Sequence, residues 1–241
     1  MNYEIYKKKL TTIAENEPKV FAAGKKSFWD TYLEPLRKGN ETVNLFSGQG
    51  WNNKTFFPTE NIIPKNNGMG MFLYFSWYVS PYIDLAERLK ECGVYLDTTY
   101  CNNFTQMFAN CFVTKLPKIS VIAGTGLTQT FVGMRVLKEI EELNLRGQKE
   151  FDEGKTPNTF DRTFDTCAEL EKITVTGIIG NSISFSNCSK LTPASVDSII
   201  GALKQLAEGE TAKTVTFHST VKGKMTDSQK AIIQEKGWSL A

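Results

Sequence analysis

The sequence predicts an α/β solenoid with a helical segment before it and an α/β cap after it. Two observations lead to this fold class: an apolar motif that recurs in the middle of the chain, and a C-terminal stretch that alternates helix and strand patterns. The 241 residues are 41% hydrophobic and 22% charged, which is ordinary globular composition. With 28 basic and 26 acidic side chains the net charge is only +2. This balance disfavours nucleic acid as a partner.

The recurring motif occurs three times between residues 104 and 175, and a degenerate fourth copy follows. Each copy has an apolar residue, a Phe four positions later, a Cys or Met three positions after that Phe, and a closing apolar triplet. The successive copies start at Phe104, Leu127 and Phe160, and their second aromatic residues are Phe108, Phe131 and Phe164. A spacing of 23 residues between the first two copies is typical of leucine-rich repeats. We therefore expect short repeats that stack around one core across residues 69–191.

The second spacing is longer, because a polar stretch over residues 146–158 separates two copies of the motif. We interpret this stretch as a loop inserted between two repeats. The cysteines Cys111, Cys167 and Cys188 recur at one motif position, so they are predicted to be small buried fillers rather than catalytic thiols. No C-x-x-C pair occurs, and an odd cysteine count without a secretory signal favours reduced thiols.

Residues 192–241 are predicted to cap the stack. Thr192-Pro193 is a helix start, and apolar residues at helical spacing continue from Val196 to Leu206. A strand pattern follows over 213–217, and Thr226 with Gln229 forms a capping box for a last helix.

Residues 1–38 are predicted to be a helical attachment or oligomerisation segment, and residues 39–68 a connector. An amphipathic helix of this length is marginal alone, so it is expected to pack on copies of itself or on a partner. Folding back onto its own domain is an equally open alternative. The start of the chain lacks an apolar run behind its lysines, and no membrane-spanning stretch is present. Synthesis in a cytoplasm without a signal peptide or membrane insertion is therefore expected.

Catalysis is disfavoured, because the chain has a single histidine, His218, and no nucleophile motif accompanies it. Acidic pairs such as Glu141 and Glu142 could serve glycoside hydrolysis, but their spacing does not single them out. We therefore expect no catalytic residues, no cofactor and no metal site.

With these residues identified, the chain resembles leucine-rich-repeat proteins of the irregular bacterial surface-antigen type that phages and prophages of Gram-positive bacteria encode. The resemblance is carried by residues 11–30, 46–58 and 93–99, by the Phe–Cys motif, and by residues 191–203 and 226–241. It implies a virion tail or baseplate component with a receptor-binding role, and it brings no catalytic residues.

Two hypotheses for function follow. The first is a non-enzymatic phage virion protein that binds other tail proteins or a host surface protein or glycan, with a homotrimer through residues 1–38 expected by analogy. The second is an intracellular interaction module or inhibitor made during infection. The candidate contact residues for the first hypothesis are Lys149, Phe151, Asp152 and Lys155 in the insertion, and the aromatics Trp77, Tyr78 and Tyr82, for which burial is the alternative.

Overall fold

A computed structural model describes residues 56–58, 61–64, 68–76 and 82–241. The expected attachment segment 1–38 lies outside the described residues, as does most of the connector 39–68. Within the described part, all strand pairing is parallel and forms two sheets, accompanied by five helices. No helix among these residues is long and apolar enough to cross a bilayer.

The first sheet contains five strands. β1, β2, β4 and β3 follow one another in the order β1-β2-β4-β3, with β2 and β3 on one edge of β4, and β5 pairs along the opposite edge of β4. Its strands are β1 Ile83–Asp84, β2 Val113–Leu116, β3 Ile119–Ser120, β4 Glu139–Asn144 and β5 Lys172–Thr176. The second sheet has the order β6-β7-β8, with β6 Ile183–Phe185, β7 Thr214–Phe217 and β8 Ser239–Leu240. The helices are α1 Leu85–Glu91, α2 Gln148–Asp152, α3 Pro193–Ala202, α4 Ser219–Lys222 and α5 Asp227–Glu235.

Strand register directs one face of each sheet into the core. Leu116, Ile140 and Ile173 are register partners on β2, β4 and β5, and all three are at most 2% exposed. In the second sheet Phe185 of β6 pairs with Phe217 of β7, and both are buried. Side chains alternate along a strand, so in β5 the exposed Lys172 and Thr174 alternate with the buried Ile173 and Val175.

A layer of turns runs beside the first sheet, formed by residues 68–76, 103–111, 127–134 and 159–166. The N–H groups of Gln106, Phe108 and Asn110 donate to carbonyls of the next turn segment at 2.8–3.1 Å. Several residues in these turns have positive φ, among them Gln106, Asn110 and Gly133. A Cβ on Gly133 would meet Asn110 Oδ1 at 2.1 Å, so this close approach of two turns requires glycine. The four-residue spacing between the first apolar residue and the Phe of each motif copy therefore lies in turns, although the same spacing is also typical of a helix.

The motif phenylalanines stack in one file through the core. Ring centroids are 5.0 Å apart for Phe72–Phe108, 5.8 Å for Phe108–Phe131, and 5.4 Å for Phe131–Phe164. The file continues from Phe164 to Phe185 at 4.6 Å and to Phe217 at 5.9 Å. Interplanar angles along the file are 14–26°. The expectation that Phe108, Phe131 and Phe164 share one environment is confirmed.

The open edge of β5 is covered by α3, whose serines take the place of a neighbouring strand. Ser195 Oγ accepts from Ile173 N at 3.0 Å and donates to Glu171 O at 3.0 Å. One turn later, Ser198 Oγ accepts from Val175 N at 2.8 Å. The backbone groups of β5 are thus satisfied without a sixth strand, and the sheet ends there.

The predicted solenoid of leucine-rich repeats is wrong, because the described residues form an α/β fold without a repeat architecture. Strands of successive motif copies do not continue as one ladder: β2 and β3 both pair with β4, and β6 pairs with β7 and not with β5. Strand lengths also vary from two residues in β1 to six in β4. The recurring motif thus identifies side chains that share a core, whereas the strands that follow the motif turns differ in length and pairing from copy to copy.

The predicted C-terminal elements are present at their expected places. Thr192 caps α3 with Pro193 in its first turn, and the capping box of Thr226 and Gln229 starts α5. The helix α3 ends at Ala202, four residues before Leu206, where the apolar helical spacing ends in the sequence. Lys236 at the end of α5 donates to three carbonyls at the C-terminal end of α3, those of Ile200, Gly201 and Leu203, at 2.7–3.0 Å. This lysine joins the two last long helices.

The stacked file predicts a large stability loss when a central ring is removed. Phe131 is fully buried between two other rings. Phe131→Ala should lower the free energy of unfolding by about 3–5 kcal/mol, since it leaves a cavity that the stacked neighbours cannot fill. Urea unfolding followed by circular dichroism measures this loss. Phe151→Ala, on a half-buried ring outside the file, should cost under about 1 kcal/mol; equal losses would contradict the proposed role of the file.

The serine-covered edge predicts a second, smaller effect. Ser195→Ala leaves the buried N–H of Ile173 without its acceptor, so we expect a loss of about 1–3 kcal/mol in the free energy of unfolding. The double variant Ser195→Ala with Ser198→Ala leaves two N–H groups at the edge of β5 without acceptors, so it should also promote self-association through that edge. Chemical unfolding and light scattering report the two effects. Ser228→Ala, on the exposed side of α5, is the matched control and should change neither quantity.

Candidate binding surfaces

The insertion 146–158 folds into a loop that carries the short helix α2. Glu150 Oε2 accepts from Gly147 N at 2.8 Å and so closes the first turn of this helix. This hydrogen bond is the main reason that the pKa of the Glu150 carboxyl is lowered. At the other end of α2, the N–H of Lys155 donates to Glu150 O at 2.9 Å. The loop is therefore held by its own hydrogen bonds.

Arg146 fixes the first end of the loop from inside the protein. The residue is 4% exposed, and its guanidinium donates to the carbonyls of Ile122, Ala123 and Thr156 at 2.8–2.9 Å. Burial lowers the pKa of this guanidinium. Burying a cation is unfavourable unless hydrogen-bond acceptors surround it, so the guanidinium requires all three carbonyls in place. These contacts fix the loop against the turn before residue 124.

Asn158 fixes the second end. Its side chain is fully buried, with Oδ1 accepting from Arg146 N at 2.9 Å, and Nδ2 donating to Val121 O and Gly124 O at 3.1 Å. The carbonyl of Asn158 also accepts from Asn181 Nδ2 at 3.0 Å. Every polar atom of this amide is thus paired, and both ends of the loop meet at one buried network.

The four candidate residues of the insertion lie together on this loop. Lys149, Asp152 and Lys155 are exposed, and Phe151 is half-buried. Lys155 Nζ lies 3.2 Å from Glu153 Oε2, which places charges of both signs at the tip. The arrangement combines a fixed base with an exposed, charged tip that carries one aromatic ring, which is a common design of binding loops.

The candidate aromatic residues are only partly located. Trp77 and Tyr78 lie outside the described residues. Tyr82 is 38% exposed just before β1, and its ring centroid is 5.6 Å from that of Phe112. Tyr82 therefore offers an edge to solvent while it covers part of the core.

A charged face on the first sheet was not found from the sequence. On this face Lys115 Nζ lies 3.3 Å from Glu139 Oε1 and 3.0 Å from Glu141 Oε1. Hydrogen bonding to Glu141 is the main cause of the raised pKa of Lys115. A half-open groove of about 210 Å³ lies beside this cluster, between β4, β5 and the start of α3. The alternating Lys and Glu pattern of the strands was the available signal, but assigning a face required the strand register.

The recurring cysteines are buried, as predicted. Burial raises the pKa of the Cys188 thiol to about 12, and it also raises the pKa values of Cys111 and Cys167. Cys167 Sγ donates to Phe131 O at 3.1 Å, and Cys111 Sγ donates to Phe72 O. A thiol at this motif position therefore fills a small space and also satisfies a carbonyl of the preceding turn. Such protonated, inaccessible thiols are poor nucleophiles.

His218 has a structural role. Its Nδ1 accepts from Thr220 N at 3.1 Å, which caps α4. Across the described ranges, no group of three His, Cys, Asp or Glu side chains is placed to hold a metal ion.

Comparison with protein-family models, with curated proteins and with solved structures finds no match. The surface-antigen resemblance therefore stays a prediction, and the surfaces described above have to be judged on their own geometry.

The anchoring network predicts that the loop depends on Asn158. Asn158→Ala removes three hydrogen bonds and leaves the buried carbonyls of Val121 and Gly124 without this donor. The free energy of unfolding should therefore fall by at least about 2 kcal/mol. Amide hydrogen exchange should also accelerate within residues 147–157 more than in β4. Asn187→Ala, at an exposed site, should leave both measurements unchanged. Unaltered exchange in the Asn158 variant would show that the loop is held by other contacts.

Proposed function

We propose that this protein is a non-enzymatic binding protein that presents the loop 146–158 to a protein or glycan partner. The observation that carries this proposal is the buried network of Arg146 and Asn158, which fixes the base of a loop whose tip is exposed. A preorganised loop loses little conformational entropy on binding, which favours affinity. Phe151 supplies apolar contact at the tip, and Lys149, Asp152 and Lys155 supply charge.

The charged face of the first sheet is a second contact area for the same role. Lys115, Glu139 and Glu141 are partly exposed there, beside the groove at α3. Mixed charges on a rigid sheet favour selection of a partner with complementary charges.

The setting that we propose is a phage particle, in which the chain is a tail or baseplate component attached at its N-terminal end. This part of the proposal is supported by the sequence resemblance described above. The partner is then a neighbouring tail protein or a host surface protein or glycan. Within this proposal, residues 1–38 either join copies of the chain into a homotrimer or fold back onto their own domain.

The alternative is an intracellular interaction module or inhibitor made during infection. The five free thiols are as compatible with this intracellular role as with the virion role, since reduced cysteines are typical of proteins made in a cytoplasm. Mass spectrometry of purified particles separates the two settings, because only the virion protein is present at stoichiometric amounts. Absence from particles would remove the tail role and leave the binding role of the loop in place.

The binding role predicts a loss of affinity when the tip is altered. A double variant with Phe151→Ala and Lys155→Glu should bind host cells or tail proteins at least about tenfold more weakly, a change of about 1.4 kcal/mol. Pull-down with titrated protein measures this change. Lys224→Glu, an exposed charge reversal elsewhere, should bind like the unaltered protein. Equal binding by all three proteins would refute the role of the loop.

A further inference from the structure

Exposed apolar side chains are concentrated at one end of the described part of the chain. Among the described residues, every exposed large hydrophobic side chain except Ile232 lies between residues 57 and 100. Exposed apolar area in a contiguous region indicates a contact site, whereas single exposed residues need no explanation.

Two of these side chains lie on the first pair of neighbouring segments, and a third follows in the next turn. Ile62 forms a parallel bridge with Leu96, and both side chains are buried. Because side chains alternate in extended segments, Ile63 and Tyr95 point to the opposite side. They are 38% and 53% exposed, and Tyr100, within the turn that follows Leu96, is 61% exposed. We refer to Ile63, Tyr95 and Tyr100 as the tyrosine patch.

The tyrosine patch lies at the end of the molecule where the N-terminal part of the chain enters. Phe56 is fully buried and packs on Phe75 with ring centroids 5.0 Å apart. Phe75 in turn packs on Phe72, and their ring centroids are 5.7 Å apart. Phe72 is the first ring of the stacked file. Phe56, at the start of the described residues, therefore packs at the beginning of the stacked file, and it precedes the bridge residue Ile62 by six positions in the sequence.

The sequence of that N-terminal part is suited to the patch. Residues 3–33 carry apolar side chains at helical spacing, among them Ile5, Leu10, Phe21 and Trp29. A helix of this kind gains most of its stability from packing its apolar face. Its connection to Phe56 keeps it at a high effective concentration near the patch, which a separate molecule lacks.

We propose that the tyrosine patch is the docking surface for residues 1–38 of the same chain, which cover the first layer of the core. Ile63 and the rings of Tyr95 and Tyr100 pack against the apolar side of this segment. The inference is independent of the loop 146–158, so failure of the proposed binding role leaves it intact. Of the two arrangements considered for residues 1–38, packing on another chain and folding back onto their own domain, this proposal selects folding back.

Photo-crosslinking of the full chain tests this proposal. With p-benzoylphenylalanine in place of Tyr95, irradiation should give crosslinks within one chain to peptides from residues 1–38. The yield should not change on tenfold dilution, because the contact is intramolecular. The same group in place of Ile232, exposed on α5, is the control and should give no such peptides.

Three results would overturn the proposal. Crosslinks between chains that fade on dilution would show that a second copy covers the patch. Crosslinks to peptides outside residues 1–38, or no crosslinks to protein, would show that the segment lies elsewhere. Limited proteolysis of a double variant, Tyr95→Asp with Tyr100→Asp, is a second test. The variant should be cleaved by trypsin within residues 1–38 at least fivefold faster than the unaltered protein. An unchanged circular dichroism spectrum shows that the variant is folded. Unchanged cleavage in a folded variant would also overturn the proposal.

Discussion

The structure depends on one packing arrangement, the file of phenylalanine rings that runs through the core. Each ring is contributed by a different part of the chain, from Phe72 to Phe217. The rings lie at centroid separations of 4.6–5.9 Å, within the range of favourable offset stacking. Both sheets and the turn layer pack against this file, so the position of every surface feature is set by it.

The ends of the sheets are controlled by polar groups rather than by apolar packing. At β5, two serines of α3 satisfy backbone groups that would otherwise seek another strand. At α3, Lys236 satisfies three carbonyls at the end of the helix. An unpaired backbone group costs more than a typical hydrogen bond contributes, so these few side chains decide where the regular structure stops.

The loop 146–158 shows how a buried charge serves to place an exposed surface. Arg146 has carbonyl partners for its guanidinium, and Asn158 has a partner for each polar atom. Burying these groups is unfavourable unless all contacts form together, so the base of the loop has a single arrangement. The resulting stiffness suits recognition at the tip, where charge and one aromatic ring are presented. The tyrosine patch, at the first layer of the core, is a separate surface with a different chemistry.

The sequence by itself determined which side chains form the core and where the C-terminal helices start. Apolar spacing and cap residues act over a few positions, so Phe131, Cys167 and Thr192 could be assigned without any long-range information. The tertiary structure alone decided that the strands form two sheets, because the end of a ladder depends on whether Ser195 and Ser198 reach the edge of β5. It also decided the anchoring role of Arg146 and Asn158, whose carbonyl partners are brought near by folding. The prediction of a solenoid failed for this reason: a recurring core motif fixes packing, whereas sheet continuity is fixed by hydrogen bonds between distant segments.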